Sequence, residues 1–265
     1  MIGAIIGDIV GSKYEFNNIK TKNFNLFSAG AKFTDDTVLT VAIFEALKKC
    51  KGNYSKLREY TIKYMQKYGK DYPNESYGNM FRLWIQSKNP KPYKSLGNGS
   101  AMRVSAVPYF AKSIEEVKEL SLMVTDVTHN HPEGIKGAEA TAICVWKALH
   151  GETKEQIKDY VIENYYSKIN NYTYEDLVKN YKFNEICEET VPQAIFCFLI
   201  SENFEDSIKT AVSIGGDSDT LAAITGAISG AYYQVPEDIR KKSEYFVDKQ
   251  ILKQMQSFEK MFLSE

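Results

Sequence analysis

The sequence predicts an all-α protein folded as one compact helical domain, and three observations carry that prediction. Apolar residues recur at helical spacing along most of the chain, whereas alternating strand-like runs are scarce. Helix-start signals stand ahead of several of these periodic segments. Two of the most apolar segments carry small residues in rows four apart, which is one helix face. No low-complexity linker or repeat period divides the chain, so residues 1–265 read as a single domain.

The opening segment, MIGAIIGDIVG, places Gly3, Gly7 and Gly11 on one face of a helix. A helix-interior glycine costs roughly 1 kcal/mol against alanine, so three in a row imply tight packing against another helix. Asp8 falls within this helix, and Glu15 follows Gly11-Ser12 in a loop. Thr34 precedes a helix with Leu39, Ala42, Ile43, Ala46 and Leu47 on one face. The pattern repeats at Leu57, Tyr60, Thr61, Tyr64, Met65 and Tyr68. GNGSAMR at 97–103 reads as a glycine-rich turn entering a helix. SIEE at 113–116 and TKEQ at 153–156 have capping-box spacing, and Pro132 suits the first turn of the helix containing IKGAEATAICVWKAL. SIGGDSDT at 213–220 leads into LAAITGAISGAYY, where Ala222, Gly226 and Gly230 form one row and Ala223, Ala227 and Ala231 the next. Pro236 introduces residues 237–262, which predict one long, charged closing helix.

The formal net charge of −1 provides no basic field for nucleic acid and no polybasic stretch for an anionic membrane. Four widely spaced cysteines without a C-x-x-C pair predict buried free thiols in a reducing cytoplasm. The apolar start lacks a basic flank and is interrupted by Asp8, unlike a signal peptide. No stretch approaches the roughly 18 apolar residues of a membrane span. A soluble, cytoplasmic protein is expected.

Two carboxylate clusters stand where a loop enters a helix: Thr34-Asp35-Asp36 and Asp217-x-Asp219-Thr220. Either alone could be an N-cap, since Asp and Thr oxygens satisfy free helix amides. One cap needs one such side chain, however, and each cluster offers three. Four aspartates brought together would repel unless cations neutralised them. Hard oxygen ligands select Mg²⁺, Mn²⁺ or Ca²⁺ over zinc, and a juxtaposed pair of clusters suits two ions roughly 3.5–4 Å apart. Glu15 alone reads as a solvated loop residue. Backbone amides of the 97–103 turn could cradle phosphate, and Arg103 could pair with a phosphate or a carboxylate. His129 and His131 in THNHPEG lack the further ligands a zinc site needs, which leaves polar-site or capping roles.

In order, GDIVGSKYEF, FTDDTVLT, GNGSAMR, THNHPEGIKGAEATA and SIGGDSDTLAAITGAISGAYY resemble the ADP-ribosylglycohydrolase family over residues 1 to about 236. The resemblance implies a compact all-α bundle with two Mg²⁺ ions (Mn²⁺ being an alternative) in a central cleft. It carries metal-ligand roles to Thr34, Asp35, Asp36, Asp217, Asp219 and Thr220, and the cleft-loop glutamate role to Glu15. The diphosphate-binding turn maps to Gly97, Asn98, Gly99, Ser100, Ala101, Met102 and Arg103, and the substrate-contacting histidine to His129. The implied reaction is hydrolysis of the glycosidic bond between ADP-ribose and an acceptor. The implied partner is thus ADP-ribose or an ADP-ribosylated substrate, with no membrane, and nucleic acid only as a modified acceptor. A non-catalytic ADP-ribose binder and a dimetal phosphate-ester hydrolase remain alternative readings. Loops 17–32 and 70–95 are expected at the cleft mouth, and the Tyr- and Lys-rich stretch 160–182 as a partner surface or solvated face.

Overall fold

Among the residues that the computed structural model describes, 1–263, the chain forms thirteen α-helices and no strand. They are α1 (Ile2–Ser12), α2 (Asp35–Cys50), α3 (Leu57–Asp71), α4 (Asn79–Gln86), α5 (Ile114–Thr125), α6 (Pro132–Leu149) and α7 (Lys154–Asn164). After them come α8 (Tyr174–Asn180), α9 (Cys187–Ile200), α10 (Phe204–Ser213), α11 (Ser218–Tyr232), α12 (Glu237–Ser243) and α13 (Lys249–Phe262). The all-α class is as the periodicity predicts. An isolated antiparallel bridge joins Gly97 to Ile186.

The capping signals place most helix starts correctly. Thr153 and Gln156 form a complete capping box at α7, and Pro132 occupies the first turn of α6. At α5 the Ser113 hydroxyl accepts from the Glu116 amide, but the Glu116 carboxylate reaches past it to the amide of Lys112 (2.7 Å). All four cysteines are buried and unpaired, and no described helix is long and apolar enough to cross a membrane.

Two elements depart from expectation. The turn at 97–103 does not enter an α-helix; it forms 3-10 segments at Asn98–Ser100 and Val104–Tyr109. Pro108 within the second has no amide hydrogen for an α-helical ladder. The closing segment 237–262 is divided into α12, a 3-10 turn at Glu244–Phe246 and α13. Asp248 restarts the helix, its carboxylate accepting from the amides of Gln250 and Ile251, both at 2.9 Å.

The core is organised around α11, which is buried from Ser218 to Ser229 and packed by α1, α6, α9 and α10. Its closest neighbour is α1, and the glycine row explains why. A Cβ added at Gly3 would lie 2.1 Å from the Gly226 carbonyl oxygen, one at Gly7 2.0 Å from that of Ala222, and one at Gly11 2.3 Å from that of Ser218. The small rows thus meet each other, backbone on backbone, as their spacing implies. The order of the contacts makes the pair antiparallel.

Candidate active site

Antiparallel packing sets the end of α1 beside the start of α11. Asp8 in α1, and Glu15 just beyond it, therefore face Asp217, Asp219 and Thr220. Gly215 and Gly216, with φ of 71° and 81°, make the turn that delivers Asp217. These left-handed conformations favour glycine. Gly216 also leaves room for Tyr181, whose Cε1 would lie 2.4 Å from an added Cβ. Asn18 joins this turn to the Glu15 loop. Its Nδ2 donates to the carbonyls of Tyr14 (2.7 Å), Glu15 (3.0 Å) and Gly216 (2.8 Å), and its Oδ1 accepts from the Gly216 amide (2.7 Å).

Asp8, to which the sequence reading gives no role, organises the other cluster. Its Oδ2 accepts from the amides of Thr34 (2.9 Å) and Thr37 (3.1 Å) and from the Thr37 hydroxyl; its Oδ1 accepts from the Thr34 hydroxyl (2.7 Å). One buried carboxylate thereby fixes the start of α2, which carries Asp35 and Asp36. The signal was visible as a lone charge inside an otherwise apolar, glycine-lined helix.

The two clusters do meet. Carboxylate oxygens of Asp8, Asp36 and Asp219 lie within 4.8 Å of one another, as do those of Glu15, Asp217 and Asp219. Asp219 belongs to both groups. Thr220 Oγ1 donates to Asp36 Oδ2 (3.2 Å), and Asn98 Nδ2 donates to Asp217 Oδ2 (2.6 Å). Capping accounts for only part of this arrangement. Thr34 does cap α2, its hydroxyl accepting from the Asp36 amide, and so turns away from the cavity toward Asp8. Asp217 holds the N-cap position of α11, yet its side chain makes no cap bond. Asp36 Oδ1 is buried with no hydrogen-bond partner at all. An orphaned carboxylate oxygen amid five other carboxyl groups fits a divalent oxygen-seeking cation. No histidine or cysteine belongs to either group, so the donor set does not suit zinc.

Crowding shows in the proton affinities. Burial, followed by the charge of Asp219, raises Asp8 to about 7 and both Glu15 and Asp35 to about 8. The same causes push Asp36 and Asp217 well above the usual carboxylate range. A carboxylate raised on folding holds more protons in the folded than in the unfolded state across the interval between its two pKa values. Stability therefore falls as pH rises through that interval. Metal-free protein is expected to melt at progressively lower temperature from pH about 4 to about 8. Mg²⁺ should flatten the profile by favouring the ionised carboxylates. Thermal melts in EDTA and in Mg²⁺ test this, and a melting temperature rising with pH in EDTA contradicts it.

The carboxylates line one side of a cavity of about 370 Å³. Its other walls include Gly97, Asn98, Gly99, Met102, Arg103 and His129, with Phe81 and Tyr93. Ser100 and Ala101 do not line it; the Ser100 hydroxyl donates to the Gly134 carbonyl (2.7 Å) and Ala101 is fully buried. The turn is also less open as an amide cradle than its sequence suggests. The amide of Gly97 donates to Ser95 Oγ, that of Asn98 to the Glu185 carbonyl, and those of Ala101 and Met102 to the Asn98 carbonyl. Arg103 is 1 % exposed and, among the described residues, pairs with no carboxylate; its Nη2 donates to Thr128 Oγ1 (2.7 Å) and the Val124 carbonyl (3.4 Å). His131 caps α6 by accepting from the Glu133 amide, leaving His129 alone at the cavity.

The expected mouth is half right. Ser76, Gly78, Asn79, Met80, Phe81, Tyr93 and Ser95 of 70–95 line the cavity, whereas no residue of 17–32 does. That loop stacks Phe27 on Phe246 and serves the site from outside the cavity, through Asn18 and through Lys20, whose Nζ donates to the carbonyls of Ile214 (2.5 Å) and Tyr181 (3.1 Å). Nor is 160–182 simply a solvated face. Tyr166, Ile169 and Leu177 are buried, and Tyr181 supports the turn before Asp217.

Comparison with known proteins identifies the family and the fold. A family profile described as ADP-ribosylglycohydrolase matches residues 1–263. ADP-ribosylhydrolase ARH3 of Mus musculus is 27% identical over 331 aligned residues, covering 96% of this chain and 89% of its own. ADP-ribosylarginine hydrolase Tri1 of Pseudomonas putida is 24% identical, covering 91% of this chain and 72% of its own. Among solved structures, an ADP-ribosylglycohydrolase-related protein complex shares the fold, with TM-score 0.62 and 19% identity over 92% of this chain and 94% of that one.

Proposed function

The chain belongs to the ADP-ribosylglycohydrolase family, and from that premise we propose that it hydrolyses the bond between ADP-ribose and an acceptor, using two divalent cations. The observation that carries this reading is the pair of carboxylate groups sharing Asp219, with Asp36 Oδ1 of the first group buried and unpartnered. Asp35, Asp36, Asp217, Asp219 and Thr220 would hold Mg²⁺ or Mn²⁺, while Thr34 holds the start of α2 in place. Bound there, such ions supply positive charge that orients ribose hydroxyls and increases the acidity of water.

The chain's own residues divide the remaining work. Hydrolysis breaks the bond from the anomeric carbon to the acceptor atom, forms one to the water oxygen, and returns a proton to the acceptor. The transition state resembles an oxocarbenium ion. Glu15 is half-buried at the cavity wall, tied by its backbone to Asn18, and its raised pKa lets it carry a proton near neutral pH. In this reading Glu15 exchanges that proton with the acceptor or the water. Binding the diphosphate at the far wall, by the 97–99 turn and His129, would position the anomeric carbon against the carboxylates.

In this reading the acceptor is a protein side chain. Phe16 and Phe183, 75 % and 43 % exposed, stack with centroids 6.2 Å apart, next to Glu15 and near Glu185. Among the described residues the cavity lining contains no lysine, and its one arginine is buried, so little there would hold a nucleic-acid backbone.

The test is a panel of arginine- and serine-linked ADP-ribosylated peptides and ADP-ribosylated DNA, each with Mg²⁺ and with EDTA. Release of ADP-ribose from a peptide in Mg²⁺ alone is expected. Full activity in EDTA removes the two-cation reading, and tight ADP-ribose binding with no turnover favours a non-catalytic binder. Glu15→Gln should lower kcat by roughly 10²–10⁴-fold while changing ADP-ribose affinity little. Unchanged kcat removes Glu15 from the chemistry.

A further inference from the structure

We infer that Thr128 and Arg103 are positioning residues that hold His129 in the tautomer protonated on Nε2, so that the ring offers an N–H donor to a phosphate oxygen at the Gly97–Gly99 turn. The inference rests on reading that turn as the diphosphate site, and it adds what makes the histidine fit for it.

The hydrogen-bond directions can be worked out from the partners. A guanidinium has donors and no acceptor, so the 2.7 Å contact from Arg103 Nη2 to Thr128 Oγ1 runs one way. The Thr128 hydroxyl keeps one proton to give. Its two candidate acceptors are His129 Nδ1 at 2.8 Å and the Thr125 carbonyl at 3.4 Å. The first distance is typical of a strong hydrogen bond and the second lies at the edge of one. Accepting from a cation also polarises the hydroxyl and makes it a better donor. The proton therefore points to Nδ1. A neutral imidazole has a single N–H, which this arrangement leaves on Nε2.

The doubly protonated ring is excluded by its surroundings. His129 is 5 % exposed and Arg103 1 %, with Thr128 between them and no carboxylate paired to the guanidinium. Burial first, and then the Arg103 charge, depress the His129 pKa well below its usual value. The ring accordingly stays neutral beside a permanent cation.

Nε2 faces the turn. A Cβ built on Gly99 would lie 3.5 Å from it and one on Gly97 3.7 Å, so the two glycines leave open the space in front of this nitrogen. A phosphate oxygen can only accept. The Nε2–H tautomer gives it a donor, whereas the Nδ1–H tautomer would confront it with a lone pair. Arg103, too deeply buried to be displayed at the mouth, thus acts on an anion through Thr128 and the ring.

The experiment is ¹⁵N NMR of the imidazole nitrogens in the ligand-free protein, with His129 assigned by the signals lost in His129→Gln. Wild type should show Nε2 protonated and Nδ1 bare. Thr128→Val should mix the tautomers or reverse them and weaken ADP-ribose binding about tenfold, the size of one hydrogen bond to a charged group. Thr128→Ser, which keeps the hydroxyl, should preserve the tautomer and hold affinity within about twofold of wild type. Wild-type His129 protonated on Nδ1 overturns the proposal, whether or not any variant folds. So does a Thr128→Val protein whose tautomer shifts with no loss of affinity. Wild-type protein that shows the Nε2–H form yet binds no ADP-ribose identifies a different failure, that of the diphosphate reading itself.

Discussion

Asp219→Asn is expected to lower ADP-ribose release on the order of 10³-fold, the scale of losing one preorganised charged group, while making the metal-free protein more heat-stable. The two effects have one cause. Asp219 is the carboxylate common to both acidic groups, within 4.8 Å of oxygens from Asp8 and Asp36 on one side and Glu15 and Asp217 on the other. After burial, its charge is what raises the proton affinity of Asp8, Glu15, Asp35, Asp36 and Asp217. Neutralising it relieves that repulsion when no cation is present. It also removes the ligand two cations would share, so the stabilisation by Mg²⁺ should nearly vanish. In wild type a ligand at 100 times its Kd contributes about 2.7 kcal/mol. Melts of both proteins in EDTA and Mg²⁺, alongside turnover, give four comparisons. A variant less stable than wild type in EDTA would mean that Asp219 is a structural anchor and not a crowded ligand. Retained Mg²⁺ stabilisation would move the cations elsewhere.

The second large effect is on folding. Gly7→Ala should cost more than the roughly 1–3 kcal/mol typical of overpacked cores, or prevent folding outright. The new methyl group would meet Ala222 O at 2.0 Å, Ala222 C at 2.3 Å and Ala223 N at 2.7 Å, all backbone atoms without a rotamer to escape into. Helix propensity pulls the other way, since alanine in a helix interior gains about 1 kcal/mol over glycine. The sign of the change in urea denaturation therefore decides which effect rules. Gly78→Ala is the control, because nothing lies within 4 Å of an added Cβ there. Stabilisation by Gly7→Ala would refute the direct contact of α1 with α11.

These two residues also show where sequence reading reaches and where it stops. The glycine row and the aspartate clusters are local patterns: each sits within a dozen residues, and the physical oddity of each is visible without knowing its neighbours. That α1 and α11 pair antiparallel, so that Glu15 meets Asp217, is a matter of tertiary packing. The role of Asp8 was hidden for the same reason; its partners Thr34 and Thr37 lie 26 and 29 residues away. Asn98 reaching Asp217 spans 119 residues, and nothing around GNGSAMR announces it. Local pattern also misled in places. The charged run 237–262 has helical periodicity throughout, but Asp248 competes for the amides of the next turn and divides it. The glycine-rich turn at 97–103 looked like an open set of amides because the sequence does not show that Glu185 and Ser95 already occupy two of them.

The backbone contact between α1 and α11 has a consequence for how the protein is made. Four of the six acidic residues, Asp8, Glu15, Asp35 and Asp36, are synthesised by residue 36, and the other two only from residue 217 onward. A nascent chain carries Asp8, Asp35 and Asp36 through most of its synthesis without the helix that completes them. Contacts of such long sequence separation form late and slowly. Cation capture would then mark the last stage of folding rather than its start, and a chain halted short of α11 should neither bind the ions nor be rescued by them.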